Sequence, residues 1–323
     1  MKILFVSNLF PPYGRGGYEQ WCEEVALALA ARSHNVAVLT ASTGAAGSAS
    51  STAGSSTPAS PITVYRLLHS QVEGGLAQTT LRLLRQPRRF EEENVGYTRA
   101  VIDQFEPDAV LIWGMWNIDR SVPQQIEAAL GSRVAYYFCD YWPTLPSAYI
   151  QRFQEPARHA QMQQFKSLIG RYFLPRLGQD SPVPLHFEHP ICVSRAVRDI
   201  LVAGGAAVEH AKVVYGGTAV EEFDISRLQA ASDSSGGGSL RLLYMGRLEP
   251  IKGVHTVIEA LARLDDSVSL NILGAGDPDY TAALQTAVAH AGMEGRVHFL
   301  GAAKRAEVPQ VLAQHDVLLF PSE

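Results

Sequence analysis

Cysteine is scarce in this chain, and its scarcity excludes two classes of protein. The 323 residues include three cysteines, Cys22, Cys139 and Cys192. They make an odd count and lie far apart, in none of the short spacings that bind zinc. This excludes a small disulfide-bonded scaffold and a cysteine-based metal site. We therefore predict three free thiols and a cytoplasmic location, where thiols stay reduced.

The chain also lacks an excess of positive charge and any long apolar run. It has 27 Lys and Arg residues against 32 Asp and Glu residues, so its formal net charge is −5. A broad nucleic-acid surface needs a surplus of cations to neutralise phosphates, and this balance excludes one. No stretch approaches the roughly 20 apolar residues of a membrane span. The hydrophobic fraction of 46% nevertheless suffices for packed cores, and the length predicts two domains.

Two glycine motifs of nucleotide-binding proteins are missing. Read as G-x-G-x-x-G, the run from Gly14 has Glu19 at the third glycine position, and the run from Gly274 has Asp279 there. No G-K-[ST] sequence occurs. These absences argue against a nicotinamide-dependent dehydrogenase and against a P-loop enzyme.

The chain does contain a regular alternation of short apolar runs and helical patterns. The runs are Ile3–Val6, Val36–Leu39, Ile62–Tyr65, Ala109–Trp113, Val134–Phe138, Ile191–Val193, Val213–Tyr215, Leu240–Met245, Val268–Leu273, Val297–Leu300 and Val317–Phe320. Apolar strands joined by helices predict an α/β fold with parallel sheets covered on both faces.

Two helices have a clear apolar stripe in the sequence. In the helix between the first two strands, the predicted buried residues are Trp21, Val25, Ala28 and Leu29. In the helix that follows Lys252, they are Val254, Val257, Ile258, Leu261 and Leu264. The second stripe places Gly253 at the start of its helix.

Two low-complexity stretches organise the chain into domains. Ala41–Pro61 is almost wholly Ala, Ser, Thr and Gly, which predicts a flexible surface loop. Ser232–Ser239 has the composition of a flexible linker. We therefore predict an N-terminal domain over residues 1–218, a linker over 219–239 and a C-terminal domain over 240–323. Because the sequence stops directly after a strand, we expect this second domain to be incomplete.

The loop Gly246–Gly253 has the composition of a phosphate-binding loop. Arg247 and Lys252 flank a turn that leaves a strand and enters a helix, so two cations and the positive end of the helix dipole can act on one ligand. Arginine offers a planar fork to phosphate oxygens, and lysine offers a compact charge. The alternative is two solvated surface cations beside a helix start, and the spacing alone does not decide between them.

A second glycine-rich turn follows the first strand. Pro11–Glu19 includes Gly16 and Gly17 directly before a helical pattern, the arrangement of an anion-binding turn.

One ordered set of segments runs along the chain: Pro11–Glu19, Ala30–Thr40, Asp140–Trp142, Val193–Val197, Gly246–Gly253, Gly274–Asp277, Val297–Gly301 and His315–Ser322. This set resembles the retaining GT-B glycosyltransferases, the nucleotide-sugar-dependent family called glycosyltransferase group 1 or family 4. Gly246–Gly253 matches the family pattern G-R-L-x-x-x-K-G at every fixed position. Each segment is a weak signal by itself, but the ordered set covers nearly the whole chain.

The resemblance implies two Rossmann-like domains that face each other across a cleft, with the acceptor on the N-terminal domain and the donor on the C-terminal one. It implies transfer of a sugar from a nucleotide-diphosphate sugar to an envelope glycolipid, a polysaccharide or a similar acceptor, with retention. Arg247 and Lys252 would hold the donor diphosphate, Gly16 and Gly17 would let the first domain close over it, and the loops with Gly246, Gly274 and Gly276 would line the donor cleft. Since these cations can carry the leaving diphosphate, we expect no cofactor and no essential metal.

The chain departs from the family pattern at two places. The family has a histidine before the Asp140 position, and this chain has Cys139 there. Asp140 is a candidate contact to donor or acceptor, with a simple turn-forming role as the alternative. The family's two-glutamate motif, E-x(7)-E, follows the counterpart of Pro321-Ser322, and Glu323 is not its first glutamate. We therefore expect the chain as given to be an incomplete enzyme.

Two basic segments of the first domain are candidates for contact with a membrane surface. The stretch 152–177 mixes aromatic and aliphatic residues with Arg152, Lys166 and Arg171, and Leu81–Arg89 forms a second cluster. A basic amphipathic helix can lie on an anionic membrane, but the composition favours an ordinary domain helix with a solvated basic face, with membrane contact as the alternative.

Two other functions remain open at the level of the sequence. Another GT-B enzyme, such as a sugar-nucleotide epimerase or a phosphorylase, would share the fold. A non-catalytic nucleotide-sugar-binding protein is favoured by Cys139 and by the absence of the glutamate pair.

Overall fold

The computed structural model describes residues 1–13, 16–42, 61–85, 89–156, 160–177, 184–217 and 239–322. The chain divides into two compact units, Met1–Gly216 and Gly217–Glu323. The predicted linker lies outside the described residues except for Ser239, and so does the predicted flexible loop apart from its ends. Ala41, at the start of that loop, belongs instead to a strand and is fully buried.

The first unit is a seven-stranded parallel sheet with helices on both faces. Its strands are β1 (Lys2–Ser7), β2 (Asn35–Ala41), β3 (Ile62–Leu68), β4 (Ala109–Ile112), β5 (Val134–Phe138), β6 (His189–Cys192) and β7 (Lys212–Val213). Its helices are α1 (Gly17–Ala31), α2 (Leu76–Arg85), α3 (Arg89–Phe105), α4 (Ser121–Leu130), α5 (Ala148–Gln154), α6 (Ala160–Leu177) and α7 (Arg195–Ala203).

The strand order β3-β2-β1-β4-β5-β6-β7 makes β1 the centre of this sheet. Leu4 and Val6 face one core and Phe5 faces the other, as alternation along a strand requires. The chain winds outward from β1 in one direction and from β4 in the other. The carboxyl ends of β1 and β4 are therefore the topological switch point, where open α/β sheets bind ligands.

The second unit is a four-stranded parallel sheet in the order β10-β9-β8-β11. Its elements are β8 (Leu240–Met245), α8 (Val254–Leu261), β9 (Val268–Leu273), α9 (Pro278–His290), β10 (Val297–Gly301), α10 (Val308–Ala313) and β11 (Val317–Leu319). Leu270 and Ile272 are fully buried in its core, against Ile258 and Leu284 of α8 and α9. The predicted α/β class is confirmed in both units, and every predicted strand is present.

The predicted phase of α1 is wrong at one residue. Ala28 is exposed, whereas Cys22 and Ala26 are buried and Trp21 and Val25 are partly buried beside them. Small side chains four residues apart let the helix approach the sheet, and the large ones then pack at the flanks of the contact. The prediction placed the larger residues at the centre of the buried face.

Two predicted helix bounds are also wrong. α8 ends at Leu261, which leaves Leu264 exposed. The predicted helical stretch 152–177 is two helices, because α5 ends at Gln154 and Glu155 adopts an extended conformation. Glu155 precedes Pro156, and the proline ring disfavours the helical conformation of the residue before it. Among the described helices, none is long and apolar enough to cross a bilayer.

Candidate functional site

The loop after β8 runs in an extended conformation along a neighbouring loop. The Leu248 N–H donates to the Ala275 carbonyl at 3.1 Å, and the Asp277 N–H donates to the Leu248 carbonyl at 3.1 Å. The Leu248 side chain is buried in the core of the second unit. Because successive side chains of an extended chain point in opposite directions, Arg247 and Glu249 both point away from that core.

Arg247 is the more exposed of the two predicted diphosphate ligands. Its side chain is 65% exposed, and its Nη1 lies 2.9 Å from Glu249 Oε1. Its backbone is braced from the core side, since the Tyr244 hydroxyl donates to the Arg247 carbonyl at 2.7 Å. The backbone at Arg247 is thus held in place while its guanidinium remains accessible.

Lys252 ends a short 3-10 turn, Pro250–Lys252, directly before α8. Gly253 caps this helix with φ 66°, a left-handed conformation that glycine adopts without strain. A Cβ at Gly253 would collide with the Pro321 carbonyl oxygen, so the loop after β11 packs against the start of α8. Lys252 is partly exposed, and no carboxylate among the described residues pairs with it.

The predicted glycine loops of the second unit are brought together. Gly274 has φ 151°, and a Cβ there would collide with the Gly246 carbonyl. A Cβ at Gly276 would collide with the Leu248 carbonyl. These glycines therefore allow the loops after β8 and β9 to touch backbone to backbone at the carboxyl edge of the sheet.

A histidine–tyrosine contact in this region was missed by the sequence reasoning. His255, in the first turn of α8, has its Nδ1 2.9 Å from the hydroxyl of Tyr280, in the first turn of α9. The N–H groups of Asp279 and Tyr280 donate to the side chain of Asp277, which caps α9. The two helix starts are thereby joined across the glycine loops. The two residues are 25 positions apart, and nothing local in the sequence signals their contact.

In the first unit, Gly16 and Gly17 lie where α1 begins. Gly16 is the N-cap, and a Cβ on it would collide with the Glu19 carboxylate. Gly17 has open space around its Cα, so packing does not account for a glycine there. The preceding Gly14 and Arg15 lie outside the described residues.

Arg66 holds the first part of this glycine-rich turn. From β3, its guanidinium donates to the carbonyls of Phe10, at 3.0 Å, and Pro11, and it lies over the ring of Tyr13 at 5.0 Å. Burial lowers the pKa of Arg66. The arginine is distant in sequence from the turn it holds, so only the folded sheet reveals this role.

Asn8 lies at the carboxyl end of β1, at the switch point of the first sheet. Its side chain is buried, and neither its amide nitrogen nor its amide oxygen has a hydrogen-bond partner among the described residues. Its backbone N–H donates to the Gly114 carbonyl at 2.6 Å, after β4. A buried amide without a protein partner is a group that a water molecule or a ligand normally satisfies.

Cys139 and Asp140 follow the carboxyl end of β5. Asp140 Oδ1 accepts the Trp142 N–H at 3.2 Å, so the carboxylate does form a turn. Burial raises the pKa of Asp140 despite this hydrogen bond. Burial, and then the negative charge of Asp140, raise the pKa of the Cys139 thiol. Cys139 is therefore a neutral thiol at pH 7, which argues against a nucleophilic role.

Comparison with known proteins finds a family match within the second unit. Residues 229–323 match the family described as "Glycosyl transferases group 1". A 2-deoxystreptamine glucosyltransferase of Streptomyces kanamyceticus is 36% identical over 80 residues, which is 24% of this chain and 21% of that protein. The amylovoran biosynthesis glycosyltransferase AmsK of Erwinia amylovora is 30% identical over 133 residues, 40% of this chain and 31% of that protein. The aligned part of this chain thus spans less than a third of either relative.

Two solved structures with the same fold cover the whole chain or nearly so. The Anabaena protein HepE, in complex with UDP and glucose, superposes with a TM-score of 0.59 at 20% identity, covering 100% of this chain and 74% of HepE. Sucrose-phosphate synthase from Thermosynechococcus elongatus gives 0.64 at 15% identity, covering 99% and 75%. Residues 229–323 therefore match the glycosyl transferases group 1 family, and the chain shares its α/β fold with HepE and sucrose-phosphate synthase.

Proposed function

We propose that this chain binds a nucleotide-diphosphate sugar and transfers its sugar to an acceptor with retention. The observation that carries the proposal is the Gly246–Gly253 loop, where an accessible arginine and a lysine that pairs with no carboxylate of the described residues precede the N-terminus of α8. We propose that Arg247 and Lys252 bind the donor diphosphate. Gly246, Gly274 and Gly276 would let the backbone of their loops come close to the donor. Gly16 and Gly17 are proposed to contribute from the first unit.

The chemical argument concerns the charge of the leaving group. When the bond from the sugar to the diphosphate breaks, negative charge builds up on the diphosphate oxygens. Fixed cations beside those oxygens stabilise the transition state more than the ground state. Arg247 can donate two hydrogen bonds in a fork, and Lys252 adds a second positive charge. In this proposal the reaction needs no metal, because the two cationic side chains stabilise the negative charge that develops on the diphosphate.

The names of similar proteins support a nucleotide sugar as the donor. The two relatives are named as a glucosyltransferase and a glycosyltransferase, and HepE was solved with UDP and glucose. UDP is therefore the first nucleoside diphosphate to test. We propose a saccharide or glycolipid acceptor, as in the biosynthesis of polysaccharides.

On the acceptor side, we propose contacts at the carboxyl edge of the first sheet. Asp140 is a candidate contact to donor or acceptor, and Cys139 occupies the place of the family's histidine. Because the Cys139 thiol is neutral, we assign it a packing contact with the sugar and not bond formation. The unpartnered amide of Asn8 supports a polar ligand at the same edge, since an amide can both donate to and accept from a hydroxyl.

A test of the donor site compares two arginine variants of the same unit. Arg247→Ala should weaken UDP binding by about tenfold or more, since a charge-assisted hydrogen bond to phosphate is lost. Arg263→Ala is the control, because Arg263 is an exposed cation in the turn that follows α8 and lies outside the loop. Calorimetry or ligand-detected NMR gives both affinities. Equal UDP affinity in the chain with Arg247→Ala and in the unsubstituted chain would contradict the assignment.

A non-catalytic nucleotide-sugar-binding protein is the second candidate, and it rests on Cys139. A histidine ring at that position can hydrogen-bond to a sugar, and a partly buried neutral thiol is a poor replacement. Transfer assays with a Cys139→His variant separate the two candidates. The second candidate is favoured if the unsubstituted chain and the Cys139→His variant both bind the donor but transfer no sugar to any member of a broad acceptor panel. Another GT-B enzyme, such as an epimerase, would convert the donor without any acceptor.

We also propose that α6 brings the first unit to an anionic membrane. Leu168, Arg171 and Tyr172 share one face of this helix and are exposed, which fits an interfacial contact. Lys166 does not belong to that face, contrary to the sequence reasoning, because its stem is buried and its ammonium donates to the Glu155 carbonyl. Flotation with anionic and neutral vesicles, using Leu168→Ser as the variant, measures this contact. Absence of flotation with anionic vesicles would contradict it.

A further inference from the structure

The proposed diphosphate-binding loop contains a carboxylate, which would repel a bound diphosphate. Glu249 lies between Arg247 and Lys252, and a diphosphate bound there would meet its negative charge. The side chain of Glu249 is only 34% exposed, against 65% for Arg247. Of the two cations, Glu249 pairs with Arg247, with 2.9 Å between Oε1 and Nη1.

The backbone explains why Glu249 reaches Arg247. Leu248 forms an isolated parallel bridge with Gly276, and Glu249 has φ −137° and ψ 148°. In an extended segment of this kind, side chains two residues apart lie on the same side. The intervening Leu248 is buried, and its N–H and carbonyl are both hydrogen-bonded to the loop after β9. The pair is therefore set by a fixed backbone. It is not a chance meeting of two flexible side chains.

We infer that Glu249 is a positioning residue that occupies the Arg247 guanidinium in the absence of donor and competes with the donor diphosphate for it. The inference rests on the proposed function and adds a regulatory element to the same site. Binding must replace the Arg247–Glu249 contact with an Arg247–phosphate contact, which lowers the affinity for the nucleotide. The same competition favours release of the nucleoside diphosphate after transfer.

The test removes the charge of Glu249 while keeping its shape. Glu249→Gln should bind inorganic pyrophosphate and UDP more tightly, by up to about fivefold, the range that an exposed ion pair reaches. The gain should shrink at high salt, because exposed pairs are screened. Glu259→Gln is the matched control, since it removes one negative charge from an exposed position on α8 and should leave the affinity unchanged.

A double variant shows whether Glu249 acts through Arg247. In the background of Arg247→Ala, Glu249→Gln should bring a clearly smaller gain, because the guanidinium for which the carboxylate competes is gone and only direct repulsion is relieved. An equal gain in that background would overturn the inference, since the carboxylate would then repel the ligand directly. Unchanged or weaker pyrophosphate binding by Glu249→Gln would also overturn it. If Arg247→Ala alone had no effect on binding, the proposed function would fail instead, so the two failures are distinguishable.

Discussion

Gly253 is the residue at which local conformation and tertiary contact act together. Its φ of 66° is costly for any residue with a side chain, and a Cβ would in addition meet the Pro321 carbonyl. Gly253→Ala should therefore lower stability by at least about 1–2 kcal/mol, the cost of the left-handed conformation alone. It should also weaken UDP binding by displacing the start of α8. Chemical denaturation and calorimetry measure the two effects.

Gly295→Ala is the control for this substitution. It lies in the same unit, and a Cβ there meets no atom within 4 Å. A loss of stability as large as that of Gly253→Ala would show that the contact with Pro321 and the backbone conformation are unimportant.

At the scale of elements, the pairing of β8 with β11 includes an ion pair that gives a pH signature. Arg241 Nη2 lies 2.9 Å from Asp316 Oδ1, and hydrogen bonds from Arg241 lower the pKa of Asp316 to about 2. The pKa of an aspartate in an unfolded chain is about 3.9. Because the folded pKa is depressed, this contribution to stability is present above about pH 3.9 and is lost as the pH falls towards 2.

Asp316→Asn should therefore lower the thermal midpoint at pH 5–7 and leave it close to that of the unsubstituted chain near pH 2. Thermal unfolding followed by circular dichroism across this range measures the difference. Glu259→Gln supplies the comparison for a change of charge without an ion pair. A constant difference between Asp316→Asn and the unsubstituted chain at every pH would contradict the assigned cause.

The elements themselves were predictable, but their faces and ends were less so. Each strand was found because a buried parallel strand is a continuous apolar run that local sequence reveals. The buried face of α1 was not found in this way. Cys22 and Ala26 are small and contribute little to an apolar pattern, yet their small size lets the helix approach the sheet closely. The break after Gln154 has a local signal, Pro156, that the longer pattern concealed.

At the scale of the whole molecule, the two units have separate cores. Leu270 lies in the core of the second unit, whereas Leu4 and Phe5 lie in the two cores of the first. Leu270→Ala should cost about 2–5 kcal/mol of stability through the cavity it leaves. Hydrogen exchange should accelerate in β8, β9 and β10 and stay unchanged in β1 and β2. Equal acceleration in both sheets would contradict the prediction of separately stabilised units.

The sequence by itself determined the α/β class, the order of the strands along the chain and the loop that contains Arg247, Lys252 and Gly253. These features depend on patterns of apolar residues, glycines and charges among residues close in sequence, and they need no tertiary contact. Only the tertiary structure decided that Glu249 pairs with Arg247, that Arg66 holds the turn after β1 and that Tyr280 contacts His255. Arg66 and Tyr280 meet their partners across the fold, and Glu249 turns towards Arg247 because the burial of Leu248 fixes the direction of both side chains.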